Sequence, residues 1–307
     1  MKARSVLAAL ALAAAACSPV SLSEVALPGG SQGAAPAAPP ASVLPVADDS
    51  VKFLVIGDSG TGGSAQRQVA QQIVAAHARF PFEFALMLGD NLYGSEDPSD
   101  YSEKFEEPYK PLLSAGVKFY ASLGNHDEPA QRFYKPFNMD GKRFYKFSEG
   151  GVDFFALDST YMTPEQVDWL AQELEGSGAD WKIAFMHHPI YSSGERHGSE
   201  MDLRALIEPL FLKHGVDVVF AGHEHFYERL KPQGGISYIT QGAAAKLRRG
   251  NIANDSRLTA KGFDTDYSFT LVEIEGDQMF VETISRRGQV VDGSVIPRRE
   301  VTATSSP

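Results

Sequence analysis

Eight side chains able to donate to a metal stand just past short apolar runs of this chain. Asp58 follows VKFLVIG in the segment GDSG, and Asp90 and Tyr93 follow FEFALML in GDNLY. Asn125 and His126 follow VKFYASL in GNHD, His187 follows KIAFM in HHP, and His223 and His225 follow VDVVFA in GHEH. Carboxylate, phenol and imidazole make a hard-to-borderline donor set, suited to first-row transition-metal ions. The chain has one Cys, at position 17, so a soft thiolate site and an intramolecular disulfide are both excluded. Singly, each motif has an ordinary structural explanation: Gly-Asp a tight turn, GNHD a hairpin or cap, HHP a satisfied structural pair. The order Asp, Asp, Asn, His, His-x-His on successive strand ends is what points to a metal site.

The apolar runs are short and end in Gly or polar residues, as buried strands do. In open α/β sheets ligands sit beyond the carboxyl ends of the strands, where these side chains lie. Between the strands, Ser64 to Arg79 reads as an amphipathic helix, with Val69, Ile73, Val74 and His77 near one face. The stretch from Tyr101 to Ser114 reads as helical, and 146–158 as a hairpin turning at Gly150 and Gly151. Thr163-Pro164-Glu165-Gln166 is a helix start, with Thr as cap, Pro in the first turn and Gln three residues on; a further helix spans Met201 to His214. The C-terminal third holds ISYIT, FTLVEIE and MFVETIS, which alternate as antiparallel strands do. Strands alternating with helices and then giving way to hairpins predict an α/β fold, a four-layer α-β-β-α sandwich with a mixed β-sandwich core flanked by helices. One domain is expected over 51–300, with a frayed tail at 301–307.

The 307 residues are 43% hydrophobic and 22% charged, enough for a sizeable core. A formal net charge of −11 argues against broad electrostatic binding to nucleic acid or to an anionic membrane. Residues 1–17 combine Lys2 and Arg4, an apolar run from Val6 to Ala16 and small residues before Cys17, the features of a secretion signal too short to span a bilayer. The small residues before Cys17 resemble a bacterial lipobox, implying cleavage there and a lipid on its sulfur; an ordinary cleaved signal is the alternative. Residues 18–50 are rich in Ala, Pro, Ser and Gly without periodicity and read as a flexible tether. The expected location is across the inner membrane, periplasmic or held as a lipoprotein, with membrane contact only through Cys17.

Taken together, GDSG, GDNLY, GNHD, MHHP and GHEH resemble the signature blocks of the calcineurin-like metallophosphoesterase superfamily. The Tyr of GDNLY narrows the resemblance to the purple acid phosphatases, the small tartrate-resistant-like branch, of bacterial type. The resemblance runs from about Lys52 to Ala244 and implies hydrolysis of a small phosphorylated substrate. It implies that Asp58, Tyr93 and His225 bind a ferric ion. Asn125, His187 and His223 would bind a second, divalent ion (iron, zinc or manganese), with Asp90 bridging. It places His126 toward the leaving group, and His197, in HHPIYSSGERHG, as a further substrate-facing His.

An acidic protein that handles phosphate needs a local cation, and a metal centre supplies one. Two adjacent ions lower the pKa of a water between them and clamp phosphate oxygens, so direct transfer to water is expected, with His126 as acid to the leaving oxygen. A phosphodiesterase on the same site stays open, and so does a lipid-anchored binding protein with a vestigial site. His77 and His214 read as structural or solvated, and His188 as the variable position between His187 and Pro189, with a role beside the ligands or toward substrate as the alternative. Lys246, Arg248 and Arg249 read as a solvated run, with contact to an anionic substrate as the alternative, and Asp127 as a residue able to orient His126.

Overall fold

The computed structural model describes residues 42–299. The expected signal, Cys17, most of the tether and the tail lie outside the described residues. Two mixed sheets form the centre. The first has the order β13-β12-β11-β1-β2-β3, from β1 (Val51–Ile56), β2 (Phe84–Leu88), β3 (Lys118–Ser122), β11 (Ser268–Glu275), β12 (Gln278–Ser285) and β13 (Val290–Pro297). The second has the order β10-β8-β9-β7-β6-β5-β4, from β4 (Tyr145–Glu149), β5 (Val152–Ala156), β6 (Trp181–Met186), β7 (Val218–Ala221), β8 (Tyr227–Leu230), β9 (Ser237–Gln241) and β10 (Thr259–Phe263).

Strand side chains alternate between two apolar layers. Phe154 of β5, Ile183 and Phe185 of β6, and Val218 and Phe220 of β7 face the first sheet. Phe53 of β1 meets Phe154 at 5.4 Å and Phe220 at 6.1 Å, both edge to face. The intervening Phe155, Ala184, Met186 and Val219 face away, onto Leu170 and Leu174 of α4 (Pro164–Gly176) and Leu203, Ile207 and Phe211 of α5 (Met201–His214). Val69 and Ile73 of α1 (Ser64–His77), with Tyr109 and Leu112 of α3 (Glu107–Ser114), which follows the short α2 (Pro98–Tyr101), close the outer face of the first sheet. The four layers are those the alternation of strands and helices predicts. Thr163 caps α4, its hydroxyl accepting the Gln166 N–H at 3.3 Å. Among the described residues no helix is long and apolar enough to cross a membrane.

Two sequence expectations change. ISYIT becomes β9, which pairs parallel with β7 and antiparallel with β8 in the second sheet, apart from FTLVEIE and MFVETIS in the first. Alternation reports one buried face and cannot say which sheet supplies it. The last stretch read as tether is also docked. Glu282 accepts the Val43 N–H at 3.0 Å, and Glu273 accepts the Val46 and Ala47 N–H groups at 2.8 and 2.7 Å and the Ser50 hydroxyl at 2.6 Å. Backbone donors meeting carboxylates from distant strands leave no periodic trace in the segment itself. Glu273 is fully buried, so Glu273→Ala leaves the Val46 and Ala47 N–H groups without their protein acceptor, while the Ser50 hydroxyl keeps the Ala47 carbonyl at 2.9 Å. We expect a loss of about 3 kcal/mol, read as a lower urea midpoint at unchanged slope.

Candidate metal centre

β1, β2 and β3 run parallel in one sheet, and β5, β6, β7 and β9 run parallel in the other. Their carboxyl ends open on one edge of the sandwich, and the loops there turn sharply. Asp58, Asp90 and His223 all have left-handed backbones, at φ 55°, 50° and 67°. That conformation is costly for residues with a Cβ and concentrates at functional sites. The loops also touch. A Cβ at Gly124 would overlap the Asp90 backbone and carboxylate, so only glycine lets the third loop close on the second.

The side chains form two adjoining clusters. In the first, the Tyr93 hydroxyl donates to Asp58 Oδ1 at 2.8 Å and lies 3.4 Å from His225 Nε2, which is 3.2 Å from the same carboxylate oxygen. In the second, Asn125 Oδ1 lies 3.0 Å from both His187 Nε2 and His223 Nδ1, and those two nitrogens are 3.1 Å apart. Asp90 belongs to both. Its Oδ1 is 3.3 Å from His187 Nε2, and its carboxylate lies within 4.8 Å of the ligand atoms of Asp58 and His225.

These donors fit a pair of cations. His187 Nδ1 donates to the Leu88 carbonyl at 2.9 Å, so in the neutral ring Nε2 carries a lone pair, and it faces the Asp90 carboxylate. Burial holds the His187 imidazole well below its usual range, so no proton fills that gap. Burial also lowers His223 to about 2 and His225 to about 4. It pushes Asp58 well up, with Asp90 adding to the effect, and raises Tyr93, with Asp58 and Asp90 adding to it. Asp58 and Asp90 are fully buried, yet among the described residues neither meets a Lys or Arg. Converging lone pairs and buried carboxylates without a cationic partner are what a bound metal ion relieves.

The loops are braced from behind. The Tyr93 N–H donates to the Gly60 carbonyl at 2.9 Å, and Lys104 Nζ donates to the Tyr93 carbonyl at 2.9 Å. Asp127 accepts the Gly124 and Leu92 N–H groups at 2.8 and 3.1 Å and the side chains of Asn91 and Gln131. It ties the second and third strand-end loops together rather than orienting His126. The His126 ring is exposed and lies 5.0 Å from the Tyr93 ring, while its backbone N–H donates to Asp90 Oδ1 at 3.0 Å.

His197 is brought to the same edge, its ring 4.4 Å from that of His223. Partial burial and the nearby Arg248 and Arg196 lower its pKa. Its loop is held by two buried glutamates. Glu224 accepts the Gly198 N–H at 2.9 Å, and Glu228 accepts the Ser193 N–H at 3.0 Å. Glu224 also binds Asn251 at 3.1 Å and Arg248 at 3.4 Å. Arg248 is therefore not part of a solvated run, and Lys246 sits half-buried with its ammonium 4.2 Å from the centre of the Tyr93 ring.

Three residues of the site carry only a weak signal in the sequence. Glu224 is the middle residue of GHEH, where alternation past a strand end suggested only the flanking histidines. His188 joins His187 and His223 in a group whose ligand atoms lie within 4.8 Å of one another. Ser159 follows β5, and its hydroxyl lies 2.9 Å from His188 Nδ1. The strand-end rule finds Ser159 only once β5 is known to run parallel to β6; as half of a hairpin it shows no such end.

Residues 51–227 match the calcineurin-like phosphoesterase family. The chain belongs to that family. This phosphoesterase is 30% identical to purple acid phosphatase 7 of Arabidopsis thaliana, over 67% of its own chain and 73% of the relative's. It is 26% identical to tartrate-resistant acid phosphatase type 5 of Homo sapiens, over 82% and 93% of the two chains. In structure it is similar to a purple acid phosphatase from yellow lupin seeds, with TM-score 0.70 and 18% identity over 86% of this chain and 59% of the other. It is also similar to GAP50, the anchor in the inner membrane complex of Plasmodium, with TM-score 0.70 and 19% identity over 83% and 90%. At such identities these two likenesses show the fold alone. Family membership makes the chain a metal-dependent phosphoester hydrolase with a dinuclear centre, and the two clusters supply donors for one.

Proposed function

We propose that this phosphoesterase hydrolyses phosphate monoesters in the manner of an acid phosphatase, with Fe(III) in the first cluster and divalent iron, zinc or manganese in the second. The observation that carries this reading is the Tyr93 phenol, aimed into the first cluster at 2.8 Å from Asp58 and 3.4 Å from His225. A phenolate favours a ferric ion over a divalent one. Asp58, Tyr93 and His225 would hold the first ion, Asn125, His187 and His223 the second, and Asp90 both. When bound, the ions supply an activated water and neutralise charge on the phosphate.

The chain's own contributions follow from position. Asp90, anchored by the His126 N–H, keeps the two clusters in one register. The His126 imidazole packs beside the Tyr93 ring but makes no hydrogen bond among the described residues, and it can give a proton to the leaving oxygen. His197 closes the substrate side above His223. Direct transfer to water implies inversion at phosphorus; retention would speak for a phosphoenzyme. The deciding experiment is hydrolysis of an aryl phosphate monoester and its diester by the metal-replete protein. Faster monoester turnover is expected, and a diester preference would overturn the substrate class in favour of a phosphodiesterase.

Tyr93→Phe should bleach or strongly shift the visible phenolate-to-iron absorption of the purified protein. An iron-loaded wild type without colour would remove the ferric assignment and leave the fold and family intact. The charge of −11 supports a small phosphorylated substrate rather than nucleic acid. The run ending in Cys17 supports export to the periplasm and a lipid anchor as the sole membrane contact. Cys17→Ser should move the protein from the membrane to the soluble fraction.

A further inference from the structure

We propose that Ser159 and His188 form a phosphate-positioning pair on the second-ion side of the site, with Ser159 setting the imidazole so that its Nε2–H donates to a substrate phosphate oxygen. This rests on the phosphatase reading above. His188 offers a ring nitrogen within 4.8 Å of the ligand atoms of His187 and His223, and its ring centre lies 4.5 Å from that of His223. It therefore borders the second cluster, although Asn125, His187, His223 and Asp90 already supply that cluster's donors.

The hydrogen bonds select one tautomer. Ser159 Oγ accepts the His188 backbone N–H at 2.9 Å and lies 2.9 Å from His188 Nδ1. Its own hydrogen needs an acceptor, and among the described residues Nδ1 is the one within reach. Donation to Nδ1 leaves the ring proton on Nε2, which makes His188 a donor rather than a ligand. The opposite tautomer would leave the Ser159 hydrogen without a protein acceptor among the described residues. An N–H at Nε2 can bind an anion without competing with a cation for the neighbouring nitrogens.

The pair is also held stiffly. β5 runs parallel to β6 with Ala156 opposite Phe185, and the Leu157 N–H continues the ladder to the Phe185 carbonyl at 3.0 Å. Asp158 is fastened by Arg143 at 2.6 Å and by the N–H groups of Thr160 and Tyr161. Gln166 of α4 bonds both the N–H and the carbonyl of Asp158, at 2.8 and 3.0 Å. The Ser159 hydroxyl is thus set by packed elements on two sides.

The test uses the protein with its metals as isolated, comparing wild type with His188→Ala, Ser159→Ala and Ser159→Thr. Metal content is read by elemental analysis, inorganic phosphate binding by calorimetry, and kinetics with an aryl phosphate. Both alanine variants should keep two ions per chain while phosphate Kd and substrate KM rise about tenfold and kcat falls less. Ser159→Thr, which keeps the hydroxyl, should restore phosphate binding. Loss of one ion in His188→Ala would make His188 a ligand and overturn the pairing, as would unchanged phosphate affinity in Ser159→Ala. A wild type that neither binds phosphate nor cleaves the ester would bring down the phosphatase reading itself. A competent wild type with unaffected variants would bring down this pair alone.

Discussion

Asp90→Asn is expected to lower phosphate ester hydrolysis by at least about a thousandfold and to cost the purified protein at least one of its two ions. Asp90 reaches both clusters, with Oδ1 3.3 Å from His187 Nε2 and the carboxylate within 4.8 Å of the ligand atoms of Asp58 and His225. Removing a preorganised electrostatic group commonly costs 10²- to about 10³-fold in rate, and a group acting on both ions should reach the upper end. The substitution is chosen so that folding survives. Asp90 has φ 50°, a conformation that Asn tolerates better than other residues with a Cβ, and Asn is nearly the same size. The retained Oδ1 can still accept the His126 N–H. Thermal unfolding in the presence of chelator should therefore be close to wild type, while metal content and turnover fall together. Full metal content with full turnover would show that Asp90 does not join the clusters.

His126→Ala should slow hydrolysis about a hundredfold or more for an alkyl phosphate and less than tenfold for a nitrophenyl phosphate. A proton given to the leaving oxygen matters in proportion to that oxygen's basicity. The geometry supports an acid rather than a brace, since the ring is exposed, leans on Tyr93 at 5.0 Å and spends only its backbone N–H on Asp90. The measurement is kcat over a series of leaving groups. A steeper dependence on leaving-group pKa in the variant supports proton donation. Equal loss across the series would assign His126 to binding the phosphate instead.

The local part of this architecture could be read without coordinates. VKFLVIG, FEFALML, KIAFM and VDVVFA are apolar on both faces over most of their length, the pattern of a strand buried between other layers, whereas VKFYASL alternates, as suits β3 at the edge of its sheet. The helix from Met201 to His214 and the Thr163 cap follow from equally local signals. Because ligands gather beyond the ends of parallel strands, the type and place of the residues after those runs single them out as site candidates.

Partnership was not legible, because burial patterns say that a face is covered and not by what. That β9 pairs with β7 rather than with the later strands depends on sheet order, which strands far apart in the chain settle together. The docking of Val43 through Ser50 depends on Glu273 and Glu282, more than two hundred residues away. Asp127 could have served His126 by proximity in sequence, yet the folded loops give it Leu92 and Gly124 instead. Ser159 and His188 met only because β5, a hairpin partner on one side, is a parallel strand on the other. The chain's own residues thus determined which groups stand at strand ends. The stacking of two sheets decided which of them touch, since contacts between distant strands are set by the packing of the whole.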